Sequence, residues 1–588
     1  MFKMKWKPDA SRTTREYIAL FSVIIAIGSC FFLMLYSDNL VNSDFGYQLC
    51  SSIFEGSFKQ FFNEFDWSYG VVIYAIYAIW SIPVWMIHHI IGISIDLQAI
   101  PVLLWYKTLL AVFAGWSVYL VKKIAEIYED ERIDISLLYI SSQLFVIPIF
   151  AIAQCDIMGL CFVLLGVYYY MQDKKIPFLI SFFIAMNMKY FALFIFIPLI
   201  LLENKQIKHI ISVGIGTMIY LIAGRWVVSL SDRVQAVTGD ESYYVNVQIK
   251  RFTDVSLEIG MPYKIGLWIF FYFILCVMAY LVPKTEKRKW TMWFALTGYM
   301  LFFLFYPCNV YWYVLLTPFF ILVFLQKKEL LHINLILELL FSGCVLVQNA
   351  FTGDWVFPGG GIFSYLFLKE YSHAMQENAL IYYIEKIMGT RFQDFLPMLI
   401  GILYACGVLM IIINCPLFSG KTDKGIKYEE INFVQNIRIF ILYFWILISV
   451  LCLIDSQNEY YFDGYTQIDF DESQIVQNNK RCSFVGHYIG EKNGAWLGNN
   501  YEIIMHNTGN SLEPIEIFFA GFSDCKEVKV YIDSDYYGIL ELNDNGLYID
   551  IDKDIFCETK DYHIVFKADD CTDDLLMFCD YIDVVQIK

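Results

Sequence analysis

The sequence predicts a polytopic α-helical membrane protein that carries a C-terminal, extracytoplasmic, all-β, sandwich-like domain. Three observations predict this. Of the 588 residues 58% are hydrophobic, with 51 Phe and 42 Tyr, and the mean hydropathy is +0.52; apolar runs long enough to cross a bilayer recur through most of the chain before residue 456. Lys and Arg collect in alternate segments between those runs, as the positive-inside bias requires. From about residue 456 the composition changes: 26 Asp and Glu stand against 9 Lys and Arg, so this tail holds the whole net charge of −17.

The elements follow in order. Residues 1–16, with Lys3, Lys5, Lys7, Arg12 and Arg15, are expected in the cytoplasm, ahead of a first span over 17–36 that lacks a small-residue cleavage site. Residues 37–99 form a first external loop. Within it the apolar run 70–94, with Pro83, Trp85 and His88-His89, is read as a re-entrant or surface-lying helix, because counting it as a span sets every later loop against the charge bias. Twelve more spans are expected over 100–121, 135–152, 157–171, 176–187, 189–203, 209–229, 264–283, 290–306, 309–325, 332–352, 396–414 and 438–455, about thirteen in all within a membrane domain of 17–455. The two short runs on either side of Asn187-Met188-Lys189 are read as separate helices, which places the tail outside. In the tail, segments such as Tyr501–His506, Pro514–Phe519, Gly546–Ile551 and Ile582–Ile587 are rich in β-branched and aromatic residues between Asn, Asp, Ser and Gly, the pattern of short strands and turns, so 456–588 is expected to be an acidic β-rich domain. Ten of the 15 Cys precede residue 456, mostly inside apolar runs; the five of the tail, Cys482, Cys525, Cys557, Cys571 and Cys579, lack the paired spacing of a zinc site and leave disulfide pairing open.

The candidate chemistry sits at the outer ends of the spans. The loop after the first span holds Asp38, Asp44, Glu55, Glu64 and Asp66 against one base, Lys59. A second acidic point, Gln154-Cys155-Asp156, lies between two apolar runs, where a carboxylate is expensive to keep unless it binds or reacts with something. Asp156 also suits the first turn of the following helix, and Lys189 also suits a helix end from which it snorkels to the interface. Arg225, Arg233, Lys250 and Arg251 form a further basic source. No P-loop or dinucleotide fingerprint is present, Gly359-Gly360-Gly361 reads as a turn, and nothing suggests nucleic acid as a partner.

The segment Asn42-Ser43-Asp44-Phe45-Gly46-Tyr47, followed by Glu55-Gly56, resembles the first external loop of the GT-C glycosyltransferases, which use lipid-linked sugar donors. The resemblance continues at Ala153-Gln154-Cys155-Asp156, at the stretch Phe178–Leu202 with its Asn187-Met188-Lys189-Tyr190, and at Asn309-Val310-Tyr311-Trp312-Tyr313 before Leu316-Thr317-Pro318, where the family's His or Arg is missing. It covers about residues 17–325 in organisation and implies a GT-C-like membrane fold. It also implies Asp44 as base or acceptor ligand and Lys189 as a contact of the donor phosphate; Asp156 is read beside them as a second acceptor-facing or metal-facing carboxylate, and Arg225 and Arg251, from the basic source above, as further contacts of the phosphate. Asp38, Tyr47, Gln154 and Tyr313 are the implied acceptor or carrier contacts. The chemistry is consistent with these residue types: glycosyl transfer needs a carboxylate to take the acceptor's proton and cationic donors for the departing phosphate.

The function expected is transfer of a sugar from a polyprenyl-phosphate donor to a glycan, glycolipid or protein acceptor on the outer face of the cytoplasmic membrane. No cofactor is required by the sequence, and a divalent metal ion is left open. Two alternatives stand beside it. A transporter or flippase of lipid-linked saccharides should show related halves, which the chain lacks; a non-catalytic scaffold presenting the acidic tail would leave Asp44, Asp156 and Lys189 free to vary.

Overall fold

A computed structural model gives the fold; its described residues exclude 1–13, 35–36, 65–69, 129–133, 232–249, 353–391, 419–427, 456–464, 470–481 and shorter stretches elsewhere. The chain divides into two compact units, residues 1–356 with 381–448, and 357–380 with 449–588.

The first unit is helical. Among the described residues, seven helices are long and apolar enough to cross a membrane: Thr14–Leu33, Val71–His89, Ile100–Tyr128, Ile207–Gly224, Val310–Gln348, Phe395–Ile413 and Glu429–Leu451. The pair Leu267–Leu281 and Lys284–Phe305, bent by 104°, makes an eighth if it is one span, and three shorter apolar helices lie at Asp156–Met171, Lys175–Met188 and Tyr190–Glu203. These helices make the chain a multi-pass membrane protein.

The expected list of spans changes in three places. The run at 70–94 contains a 19-residue helix, α4 (Val71–His89), that qualifies as a crossing by length and composition. The run 135–152 is three short pieces, α6 (Ile135–Ile140), α7 (Gln143–Val146) and a π-turn at Ile147–Ala151, because Ser141 and Ser142 interrupt it and bind buried charges. The runs 309–325 and 332–352 belong to one helical stretch broken at Lys327, whose φ of −129° and ψ of 67° are not helical.

Elsewhere the break falls where the sequence puts it. Helix α9 (Lys175–Met188) ends at Lys189, whose backbone is extended, and α10 (Leu193–Glu203) follows after a 3-10 turn at Tyr190–Ala192. The two pack as a hairpin through Phe178 and Phe196, with ring centroids 5.5 Å apart. Helix α8 (Asp156–Met171) lies against α9 and against α5 (Ile100–Ala125), on which Cys161 Sγ donates to the Phe113 carbonyl at 3.1 Å.

Helix α1 (Thr14–Leu33) is held at its C-terminal end by the buried Lys107 of α5, whose ammonium donates to the carbonyls of Cys30 and Met34. A cation there meets both the orphan carbonyls and the negative end of the helix dipole. Helix α2 (Ser37–Phe54) runs parallel to α4: Gly46 lies beneath Tyr77, Phe54 stacks on Trp85 with centroids 4.4 Å apart, and Leu49, Cys50, Tyr74 and Ala78 fill the seam. A Cβ at Gly46 would come within 2.4 Å of the Tyr77 Cβ, so only glycine permits this approach.

Deep in the same unit Arg438 and Glu338, each with a side chain 1% exposed, form an ion pair at 3.1 Å. Arg438 also donates to the Leu138 carbonyl and to Ser141 Oγ at 3.0 Å, and Ser142 Oγ donates to Glu338 at 2.6 Å. The interruption of the expected span at Ser141-Ser142 is thus the place where a buried arginine and a buried glutamate meet each other and the two serines.

Among the described residues the second unit contains ten strands, β3 to β12 after the short hairpin β1 (Ser256–Gly260) and β2 (Tyr263–Gly266) of the first unit. They are Tyr465–Asp469, Cys482–Glu491, Gly494–His506, Ile515–Phe522, Lys529–Ile532, Asp535–Ile539, Glu541–Asn543, Gly546–Ile551, Asp561–Lys567 and Leu575–Gln586. The antiparallel order is β8-β7-β11-β5-β12-β6-β10-β9, with β3 also on β12 and β4 on β5. Strand β5 changes partners along its length: residues 501–506 pair with β11 and 495–498 with β12. The sheet therefore turns a corner at β5, and the two halves close on one core. Inward residues alternate, as in Tyr501, Ile503 and Met505 of β5 and Ile515, Ile517 and Phe519 of β6, and Phe519 meets Phe566 of the non-adjacent β11 edge to face at 4.9 Å. Cys525 Sγ donates to the Leu576 carbonyl at 3.5 Å, whereas Cys557 and Cys571 lie outside the described residues.

Candidate functional site

The stretch before α8 is irregular backbone within the helical unit. The π-turn Ile147–Ala151 leads into Ala153, which is fully buried with a φ of 57°, a conformation that L residues with a Cβ rarely adopt. Such strain persists only where the surroundings impose it, and it concentrates at functional sites. Here it turns the chain so that Asp156 opens α8 with its carboxylate facing inward. Cys155, not Asp156, is the N-cap residue, and the Asp156 side chain caps nothing: it is 1% exposed and accepts a hydrogen bond and ion pair from Lys189.

Lys189 is brought there by the break between α9 and α10. Its ammonium lies 4.6 Å from the ring centroid of Trp312, 5.4 Å from that of Phe191 and 5.9 Å from that of Tyr311. A small cavity opens on the pair, with Gly159, Met188, Tyr299 and Ile73 among its walls. The second carboxylate oxygen of Asp156 and the indole N–H of Trp312 are both buried and have no hydrogen-bond partner among the described residues. One acceptor and one donor left unmatched beside a charged pair call for a partner, which a water, an ion or a polar ligand would supply.

The other basic candidates divide. Arg251 lies within electrostatic reach of Tyr306, and both Arg251 and Lys189 act electrostatically on Cys308, so the two cations border one neighbourhood. Arg225 lies near the end of α11 (Ile207–Val228), with its side chain outside the described residues, as is Arg233. Gln154 is 1% exposed and holds its backbone N–H to the Pro148 carbonyl at 3.1 Å. Tyr313 faces away from Lys189, donating to the Phe303 carbonyl at 3.3 Å with its ring against Phe303 and Phe341. The aromatic contact with Lys189 comes instead from the two residues before it.

Asp44 belongs to a second group. On α2 it accepts from Gln48 Nε2 at 2.7 Å. Burial raises its carboxyl above the ordinary carboxylate value and the Gln48 hydrogen bond partly offsets this. Tyr47 on the same helix is half-buried, and Asp38 is in the first turn of α2 with its side chain outside the described residues. The two groups are joined by α4. Tyr77 packs under Gly46 of α2, and Ile73, one turn earlier and thus about 6 Å along the axis, lines the Asp156 cavity. The N-terminus of α4 is in turn fixed to the residue pair preceding Lys189: the Val72 N–H donates to Asn187 Oδ1 at 3.3 Å, and a Cβ at Gly70 would fall 1.5 Å from the Asn187 carbonyl oxygen. Among the described residues no group of three His, Cys, Asp or Glu side chains is placed to hold a metal ion.

No protein-family model matches the chain, and no curated protein does. Among solved structures the chain is similar to the arabinosyltransferase EmbB from Mycobacterium smegmatis, with 9% identity and a TM-score of 0.32 over 100% of this chain. The chain spans 65% of the length of that protein. A likeness of that size carries no argument about chemistry.

Proposed function

We propose that the protein is a GT-C-like membrane glycosyltransferase that moves a sugar from a polyprenyl-phosphate donor to a glycan, glycolipid or protein acceptor. The observation that carries this reading is the pair of buried Asp156 and partly buried Lys189 beneath Trp312 and Tyr311, with an unmatched carboxylate oxygen and an unmatched indole N–H at its edge. A membrane-embedded ammonium needs an anion. In the absence of donor Asp156 supplies it; when a phosphate enters, Lys189 turns to the phosphate oxygens and Arg251 adds a second cation.

In this reading Asp156 then faces the acceptor, and Asp44 takes the proton from the acceptor hydroxyl. A half-buried carboxylate with a raised pKa suits a general base. The apolar and aromatic walls around Lys189 exclude water and so strengthen the attraction between cation and phosphate. The donor's polyprenyl tail would lie along the membrane-facing helices, and the acidic β-rich unit, 456–588, would stand on the acceptor's side of the membrane.

The test is transfer from a synthetic polyprenyl-phosphate sugar by the full chain reconstituted in lipid vesicles. The wild type should transfer sugar to a supplied acceptor. Asp44→Asn should bind donor normally and lose on the order of 10²–10⁴-fold in turnover. If Asp44→Asn, Asp156→Asn and Lys189→Met all retain near-normal transfer while folding normally, the site is elsewhere.

A further inference from the structure

At the other end of α8, some 24 Å from Asp156 for a helix of its 16 residues, a larger cleft opens where α8 ends, α9 begins, α10 ends and α11 begins. It is open to solvent and has a cavity volume of about 190 Å³. Its walls are apolar on one side, from Phe178, Leu179, Ile200 and Val213, and its rim is polar, from Lys174, Lys175 and His209.

The charges of this cleft do not cancel. Its two acids are already matched: Lys287 binds Asp173 at 2.8 Å and Glu203 at 2.9 Å, and Lys284 binds Glu203 at 2.6 Å. Lys287 is itself fixed over the Tyr170 ring, 3.9 Å from its centroid. Lys174 and Lys175 are in excess. Among the described residues neither makes an ion pair within hydrogen-bond distance; Lys174 lies near the Tyr169 ring at 5.7 Å and Lys175 only in the field of Asp173.

The apolar side continues onto the surface that faces lipid. Helix α11 is almost bare, with Ile211 and Ile215 more than half exposed, and it is tied to α9 through Tyr220, which stacks on Phe183 at 4.8 Å and donates to the Phe183 carbonyl at 2.8 Å. Ile176 and Ile180 of α9 are exposed on the adjoining face. The cleft is thus a slot between two membrane helices with two surplus ammonium groups at its mouth.

We propose that this cleft binds an anionic phospholipid, its phosphate against Lys174, Lys175 and His209 and an acyl chain along Phe178, Leu179, Ile200 and Val213. A free phosphate would be served by the lysines alone and would leave the apolar wall without purpose. A basic pocket between membrane helices reads the headgroup charge, and the slot reads the chain. The inference is independent of the sugar-transfer reading, since none of its residues belongs to the Asp156 site.

The experiment uses the full chain in lipid nanodiscs of phosphatidylcholine with and without phosphatidylglycerol, followed by native mass spectrometry of the lipid retained on the protein. The wild type should keep phosphatidylglycerol in preference to phosphatidylcholine, and inorganic phosphate should not displace it. Lys174→Ala/Lys175→Ala should weaken retention on the order of thirtyfold, from the contribution of each lysine near an anionic lipid. Val213→Trp, which fills the slot and leaves every charge in place, should reduce retention too, and Lys122→Ala/Lys123→Ala, a lysine pair at the end of α5, should not. Equal retention of the two lipids, unchanged retention in both cleft variants, or displacement by inorganic phosphate would overturn the proposal.

Discussion

Asp44 and the Asp156–Lys189 pair present opposite electrostatic situations, and their variants should separate accordingly. Asp44 is a carboxylate that burial holds toward its neutral form. A raised folded-state value means that the folded protein is the better proton binder between the unfolded and folded pKa, so this group's effect on stability worsens as pH rises through that window. Asp44→Asn should therefore melt no lower than the wild type at neutral pH while losing turnover, measured by thermal unfolding and transfer assay on one preparation. The acid limb of the activity–pH profile should lie above the ordinary carboxylate range and disappear in this variant. Gln48→Leu, which removes a hydrogen bond favouring the ionised form, should move that limb higher still; an unmoved limb would assign it to another group. For the pair, removing either partner leaves a buried charge unmatched, so Asp156→Asn and Lys189→Met should each destabilise by about 3–5 kcal/mol while the double variant recovers much of that. Donor binding should be lost in both variants that lack Lys189, which distinguishes a ligand contact from a merely structural pair.

At the scale of elements, two contacts fix how the helices that carry these residues meet. Gly70→Ala would drive a methyl group into the Asn187 carbonyl, and the backbones of α4 and of the turn before Lys189 would have to part. The expected result is a large loss of transfer and donor affinity with both site carboxylates intact; normal activity would show that α4 does not position the site. The second contact is the Arg438–Glu338 pair at the Ser141-Ser142 interruption. Arg438→Met should cost about 3–5 kcal/mol, because Glu338 is then buried without its cation, and Arg438→Met/Glu338→Met should be far milder. Unfolding midpoints of the purified variants in one detergent would check this. The sequence marks both places with polar residues in apolar surroundings, yet not what they meet, since the partners lie 115 and 100 positions away.

At the scale of the whole molecule, the β-rich unit should fold without the membrane unit, provided that the fragment begins before Tyr465, because β3 pairs with β12. Residues 460–588 should give a β-type circular dichroism spectrum and a cooperative melt, and Phe519→Ala, which empties the centre of its core, should lower stability by about 3–5 kcal/mol. A fragment that is disordered would mean that the unit depends on the helices. The strand segments from Tyr501 onward are nearly all visible as alternating apolar and polar positions, whereas β4 (Cys482–Glu491) is not, since Gly486, His487 and Gly490 dilute its pattern. The split at Lys189 is likewise legible, because a lysine cannot continue an apolar helix through the bilayer without a partner. The run 135–152 misleads because hydropathy counts side chains and does not register that Pro148 and two serines end one turn and begin another.

What the sequence determines by itself is whatever depends on the solvent each segment prefers: a helical unit rich in apolar runs, an acidic strand-forming tail, and a few charged residues whose presence in an apolar setting requires a reason. Tertiary structure alone decides which of those charges share a reason. Asp156 and Lys189 are 33 residues apart and become one ion pair, Trp312 rather than Tyr313 covers it, and Asp44 stays on a separate helix with Gln48. Burial and hydropathy are properties of a segment and can be read along the chain; pairing is a property of two segments brought together by packing, and periodicity holds no record of it.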